Sequence, residues 1–230
     1  MEIGAIAYIH TDLPEKFGLP RQSGVVKELT GYVEFVPPYG NAEAVRGIEG
    51  YDYLWLLWGF DVKESSGFKA TVRPPRLGGN TRMGVFATRS PFRPNRLGLS
   101  SVRLERVEMT ETGPKLHVSG IDMKDGTPIY DIKPYLAYTD SHPDARSGFS
   151  DEVNFDELKI DFTKELLDPV PEDKREALLQ LLRQDPRPSY IEEEGRIYGL
   201  SFGGFNIRFT VEGGTLRVTA VEEISKDEMK

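Results

Sequence analysis

Between Ile3 and Tyr138 short apolar or alternating runs are cut by dense turn punctuation, and this spacing predicts strands. The runs are Ile3–Ile9, Gly31–Val36, Tyr53–Phe60, Met83–Thr88, Leu99–Val107, Lys115–Ile121 and Ile129–Ile132. Between them lie Pro20, Pro37-Pro38, Gly47, Pro74-Pro75, Gly78-Gly79, Pro91, Pro94, Gly113-Pro114 and Asp125-Gly126. Many short strands joined by such turns predict a mainly β body, a sandwich or a barrel. Asn41–Arg46 allows one or two helical turns.

The pattern changes after residue 138. Residues 139–155 (TDSHPDARSGFSDEVNF) are polar and read as a linker or exposed loop. A smaller α+β unit over 156–225 follows. Its elements are a strand at Leu158–Phe162, a helix at Lys174–Gln184, and strands at Arg196–Ser201, Asn206–Val211 and Leu216–Val221. Leu178, Leu179, Leu181 and Leu182 give the helix an apolar face, and Pro186 stops it. Gly213-Gly214 predicts a hairpin between the last two strands.

Charge sharpens this division. The formal net charge is −8 over 230 residues, yet residues 1–150 carry 18 acidic and 18 basic side chains. The whole excess lies in residues 151–230, with 19 acidic against 11 basic. A general nucleic-acid coat is therefore excluded, and any polyanion must be met locally. The place is residues 65–104, with eight basic residues and no acidic one. Seven are arginines: Arg73, Arg76, Arg82, Arg89, Arg93, Arg96 and Arg103. Arginine grips carboxylate or phosphate through a planar fork, and prolines and glycines among these residues hold most of them on turns. The segment is expected to fold into an anion-binding cup, with aspartates on the opposite lip.

The absence of cysteine excludes disulfides, thiolate metal sites and a cysteine nucleophile, and fits the cytoplasm. Tyr53–Phe60 is the longest apolar run, far too short to cross a bilayer, and the N-terminus does not read as a secretory signal. His10, His117 and His142 are too scattered for a metal site, and His117 reads as structural. No phosphate-binding lysine loop, dinucleotide fingerprint, zinc helix or nucleophile elbow occurs.

In SGIDMKDGTPIYDIKPY, residues 119–135, Asp122, Asp125 and Asp131 are the carboxylates available as a general base. Asp125 equally fits a type I turn over Lys124–Thr127, bonding its own backbone. Asp131 lies in an apolar run and needs a partner; pairing near Arg89 or Arg93 would form a site wall. Two further polar loops are PRQSG at 20–24 and QDPRPSY at 184–190. In the second, Asp185 and Arg187 either cap the helix or, with Tyr190, hold a base or phosphate.

With VRG at 45–47, TVRPPRLGGNTRMGVFATRSPFRPNRLGLS at 71–100 and FNIR at 205–208, these segments resemble, in order, the TrmO (TsaA-like) family of S-adenosylmethionine-dependent tRNA methyltransferases. The resemblance implies an N-terminal β-barrel catalytic domain over 1–138, a smaller C-terminal domain that contacts tRNA, and a cytoplasmic homodimer without membrane attachment. It implies methyl transfer to N6 of threonylcarbamoyl-adenosine at position 37, next to the anticodon in threonine tRNAs. The donor pocket it implies draws on Ser23, Gly24, Val25, Asp61, Val62, Arg89, Leu99, Ser119, Gly120, Ile121 and Asp122. Substrate contacts fall to Arg21, Arg93, Asn95, Arg187, Tyr190, Asn206 and Arg208, and no metal is implied. Asp61 stands where a bacterial member has histidine, and Arg96 replaces a proline. The competing readings are a methyltransferase acting on a small molecule or another RNA, and a non-catalytic nucleotide-binding module.

Overall fold

The structure is a computed structural model that describes residues 2–62, 68–74, 77, 81–152, 157–187 and 195–225. Six antiparallel strands close into a barrel: β1 (Ala7–Thr11), β2 (Thr30–Phe35), β3 (Tyr53–Gly59), β6 (Leu97–Thr110), β7 (Gly113–Ser119) and β8 (Thr127–Pro134). Their order around the wall is β1-β2-β7-β6-β3-β8, and β8 pairs back onto β1 to close it. β4 (Thr71–Val72) and β5 (Met83–Gly84) form a separate two-stranded ribbon in the arginine-dense segment.

Period-two alternation fills the barrel. Leu54, Leu56 and Trp58 of β3 and Val102 and Leu104 of β6 point inward, against Ile9, Val33, Leu116, Val118 and Ile129. The intervening residues face outward. Leu57 is thus opposite Leu99, Trp55 opposite Ser101 and Tyr53 opposite Arg103 on the outer surface. Gly98 is needed inside, because a Cβ there would meet the Trp58 indole lying across it.

Met83–Thr88 does not continue as one strand. Only Met83–Gly84 pairs, and Val85–Ala87 forms a 3-10 turn closed by the Thr88 N–H on the Val85 carbonyl at 3.3 Å. Asn41–Arg46 is likewise a single 3-10 turn, Ala42–Val45, capped by the Asn41 side chain.

The second unit orders its strands β10-β11-β12-β9, with β9 (Lys159–Asp161) parallel to β12 (Thr215–Glu223). β10 (Tyr198–Phe202), β11 (Phe205–Glu212) and β12 form an antiparallel meander. The helix spans Glu172–Arg183 and buries Leu178, Leu181 and Leu182 as its leucine spacing predicts, with Ala177 completing the face and Leu179 half-buried. Short helices at Ala137–Asp140 and Lys164–Leu167 escape sequence patterning, being single turns.

Buried residues of both units belong to one continuous core. The segment after β1 joins them. The Asp12 carbonyl accepts from the Gly203 N–H at 2.8 Å, and its carboxylate pairs with Lys174. Phe17 stacks on Tyr198 at 6.5 Å, and Gly18 lies against Leu200.

Candidate active site

Asp122 follows β7 and sits at the barrel wall beside the loop that carries Gln22–Val25. Two backbones meet there. The Gly24 N–H donates to the Gly120 carbonyl at 2.8 Å, and the Gly120 N–H donates to the Leu29 carbonyl at 2.9 Å. Both glycines hold positive φ, +76° and +71°, and a Cβ on Gly120 would come within 3.4 Å of Gly24. Glycine holds these left-handed backbone angles without strain, whereas a residue with a side chain would be strained at either position.

A polar chain runs from the core to this junction. Trp58 Nε1–H donates to Ser100 Oγ at 2.9 Å, and Ser100 donates to Asp122 Oδ1 at 2.6 Å. Burial pushes the Asp122 carboxyl up from its ordinary value. Opposing it are the Ser100 hydrogen bond, the Asp122 and Ser23 backbone N–H groups and the Arg89 charge. Arg89 donates through Nη1 to Gln22 Oε1, which ties the arginine segment to the 20–24 loop.

The aspartates therefore separate by environment. The Asp125 carboxylate accepts from the Thr11 N–H at 3.0 Å and lies 3.4 Å from His10 Nδ1. It does not bond its own turn, and the positive φ of Gly126 at the third position makes that turn type II. Asp131 pairs with Lys133 at 2.9 Å on the outward side of β8, and not with Arg89 or Arg93. The reason is the strand period, which sends Asp131 to the barrel exterior. Of the three aspartates only Asp122 is half-buried with its carboxylate facing an arginine of the 65–104 segment.

Two arginines of that segment, Arg93 and Arg96, serve its loops. Arg93 Nη1 donates to the Thr88 carbonyl at 2.6 Å and the Val85 carbonyl at 3.4 Å. Arg96, with φ of +36°, donates to the Val62 carbonyl at 2.9 Å, and its own carbonyl accepts from Phe60. The residue replacing proline thus clamps the end of β3 that bears Asp61 and Val62. Asp61 bonds Lys124 at 2.8 Å and is flanked by Lys16. The Lys124 hydrogen bond, then the charges of Lys124 and Lys16, hold its carboxyl below the ordinary range. Among the described residues the arginines share no common cup, and the junction gathers Arg89 by way of Gln22; Arg76 lies outside the described residues.

Other sequence candidates are spread more widely. Ser119 is buried and donates to Glu105 at 2.5 Å, while Ile121 is buried in the core. Leu99 is 57% exposed on the outer face of β6, and Val25 is exposed beside the loop junction. Asn95 is exposed in the turn before β6. Arg21 lines a cleft of about 460 Å³ between the two units, opposite Asp185 and Arg187. There Arg187 forks onto Asp185 at 2.8 Å through both Nε and Nη2. Asn206 and Arg208 alternate with buried Phe205, Ile207 and Phe209 on β11, and Arg208 pairs with Glu222 at 3.0 Å. Tyr190 lies outside the described residues. Sequence reasoning missed Ser100 and Trp58; an inward-facing serine within an otherwise apolar half-strand was the available signal.

Among the described residues no cluster of histidine and acidic side chains suits a metal ion, and no helix is long and apolar enough to cross a membrane.

Comparison with known proteins gives a consistent result along the chain. The model of the tRNA-methyltransferase O N-terminal domain matches residues 8–141, and that of the TrmO C-terminal domain matches residues 151–224. A protein of Escherichia coli K12 named tRNA (adenine(37)-N6)-methyltransferase is 42% identical over 94% of this chain and 96% of its own. A Pseudomonas aeruginosa protein described as a putative S-adenosylmethionine-dependent methyltransferase, RcsF, is 39% identical over 90% of this chain and 91% of its own. A crystal structure of TrmO from P. aeruginosa matches with a TM-score of 0.78 at 33% identity, covering 97% of both chains.

Proposed function

The chain belongs to the tRNA-methyltransferase O family, and from that premise we propose that it methylates N6 of adenosine 37 in tRNA, using S-adenosylmethionine. The observation that carries the reading is the junction of Gly24, Gly120, Arg89 and Asp122. Its chemistry suits the donor: close backbone approach for a flat ring, a guanidinium for a carboxylate, and a half-buried carboxylate for hydroxyl or ammonium groups. Ser23–Val25, Asp61–Val62, Arg89, Leu99 and Ser119–Asp122 would hold that donor, which supplies a methyl group already activated on a sulfonium.

The protein's own residues then have two tasks. The first is placement, because donor carbon and acceptor nitrogen must be held about 3–3.5 Å apart in line. The rigid Gly24–Gly120 contact and the β3 end clamped by Arg96 serve this. The second is the proton. With threonylcarbamoyl-adenosine as acceptor, N6 is urea-like, weakly nucleophilic and more readily deprotonated than an amine. Asp122, half-buried and with its carboxyl raised above its ordinary value by desolvation, is equipped to take that proton, whereas Asp125 and Asp131 are committed to Thr11 and Lys133.

The threonyl carboxylate offers Arg93 a charged partner beyond the Thr88 and Val85 carbonyls, and plain adenosine does not. The cleft bearing Arg21 and Arg187 takes the adjoining stem or loop of a threonine tRNA. The enzyme works as a cytoplasmic homodimer.

The test is methylation of purified tRNA with methyl-labelled S-adenosylmethionine, followed by nucleoside mass spectrometry. Label on N6 of threonylcarbamoyl-adenosine supports the whole reading. Equal labelling of plain adenosine removes the threonylcarbamoyl requirement, and no labelling of any tRNA removes the function.

A further inference from the structure

Phe68 and Phe86 stand on the surface of the arginine-dense segment, 61% and 71% exposed. Their ring centroids are 6.3 Å apart with planes 25° from parallel. The pair is held in place from beneath. Val85, the neighbour of Phe86, is buried, and its N–H donates to the Ala70 carbonyl at 2.9 Å. The Arg93 guanidinium lies 5.8 Å from the Phe86 centroid, itself fixed by the Thr88 and Val85 carbonyls. Two stacked phenylalanines turned to water, with Phe86 on an anchored 3-10 turn, mark a contact surface.

We infer that Phe68, Phe86 and Arg93 form a stacking platform for an unpaired RNA nucleotide that neighbours the methylated adenosine. This rests on the tRNA reading above. Exposed aromatic faces beside guanidinium groups bind single-stranded bases of any sequence, through stacking and cation–π contact. Residues 65–104 carry no acidic residue, so a phosphate backbone tracking the surface would meet Arg73 and Arg82 without repulsion. A second copy of this chain docking the same patch would instead set its arginines against each other. Anticodon-loop bases are splayed and unpaired, which is the form such a platform accepts.

The experiment measures binding of a fluorescent anticodon stem-loop RNA to wild-type protein, Phe86→Ala, Phe68→Ala and Phe86→Trp. Methylation of the same RNA, S-adenosylhomocysteine affinity and sedimentation are followed in parallel. Each alanine variant is expected to bind RNA roughly five- to a hundredfold more weakly, with Phe86→Trp restoring affinity and donor affinity unchanged in all. Wild-type RNA affinity in both alanine variants, while wild-type protein binds and methylates the RNA, overturns the platform and leaves the proposed function standing. Weaker RNA binding that tracks a change in oligomeric state assigns the patch to self-association and also overturns it. If wild-type protein neither binds nor methylates the RNA, the function falls and takes the platform with it. Should Phe86→Ala fail to fold, Phe68→Ala carries the same comparison.

Discussion

Ser100 donates a 2.6 Å hydrogen bond to Asp122 from inside the barrel, so the carboxylate at the candidate site is wired to the core through Trp58. Replacing Ser100 by alanine leaves the Trp58 N–H unpaired in the core and removes a donor that favours the ionised carboxylate. Stability should fall by about 1–3 kcal/mol in urea unfolding. The titration of Asp122 should also move further up, displacing the rising limb of the methylation rate towards higher pH. An unmoved limb would separate Asp122 from the proton transfer.

Asp122→Asn has a signed pH signature. The folded carboxyl holds its proton more tightly than the unfolded chain, whose value is near the ordinary 3.8. Between that value and the raised one the native state binds more protons, so this group's stabilisation is complete at low pH and declines as pH rises. Unfolding of wild type and Asp122→Asn at stepped pH should therefore show the wild type losing ground to the variant upward from about pH 4. A difference independent of pH would mean that Asp122 titrates normally.

Arg89→Ala should weaken S-adenosylhomocysteine binding by roughly tenfold or more, the scale of a lost charge-assisted hydrogen bond. Calorimetry reads it directly. The same variant frees Gln22 and removes a positive charge that favours ionised Asp122, so the pH limb should also rise. Donor affinity equal to wild type would move the pocket away from this junction.

Arg187→Ala should leave donor affinity unchanged while slowing tRNA methylation severalfold, about 1 kcal/mol in transition-state terms. Arg187 lies across the inter-unit cleft from Arg21, on a turn where Asp185 holds φ at +49°. Equal losses of both activities would make the Asp185–Arg187 fork a purely structural brace.

Alternation and turn residues made the barrel strands and the leucine helix legible, because the period of two survives wherever one face is buried. Val85–Ala87 was not legible: a short apolar run reads alike as strand or turn, and only its single inward residue distinguishes them. The site was half legible. Asp122 and Arg89 stood out by type and by family motif, but nothing local to Asp122 and Asp131 says that one meets Ser100 and the other pairs outward with Lys133. Strand register decides the side Asp131 takes, and the loop after β7 decides that of Asp122. The Phe68–Phe86 pair was hidden for a related reason, since aromatic residues count as core until coordinates place them outside.

The strip from Asp12 to Gly24 is gripped by the small sheet at Gly203 and Leu200 before it reaches Gly120. The barrel therefore does not hold this strip unaided. Severing the chain near residue 150 would strip the outer support from this strip, and the Gly24 berth would be built on an unpropped wall.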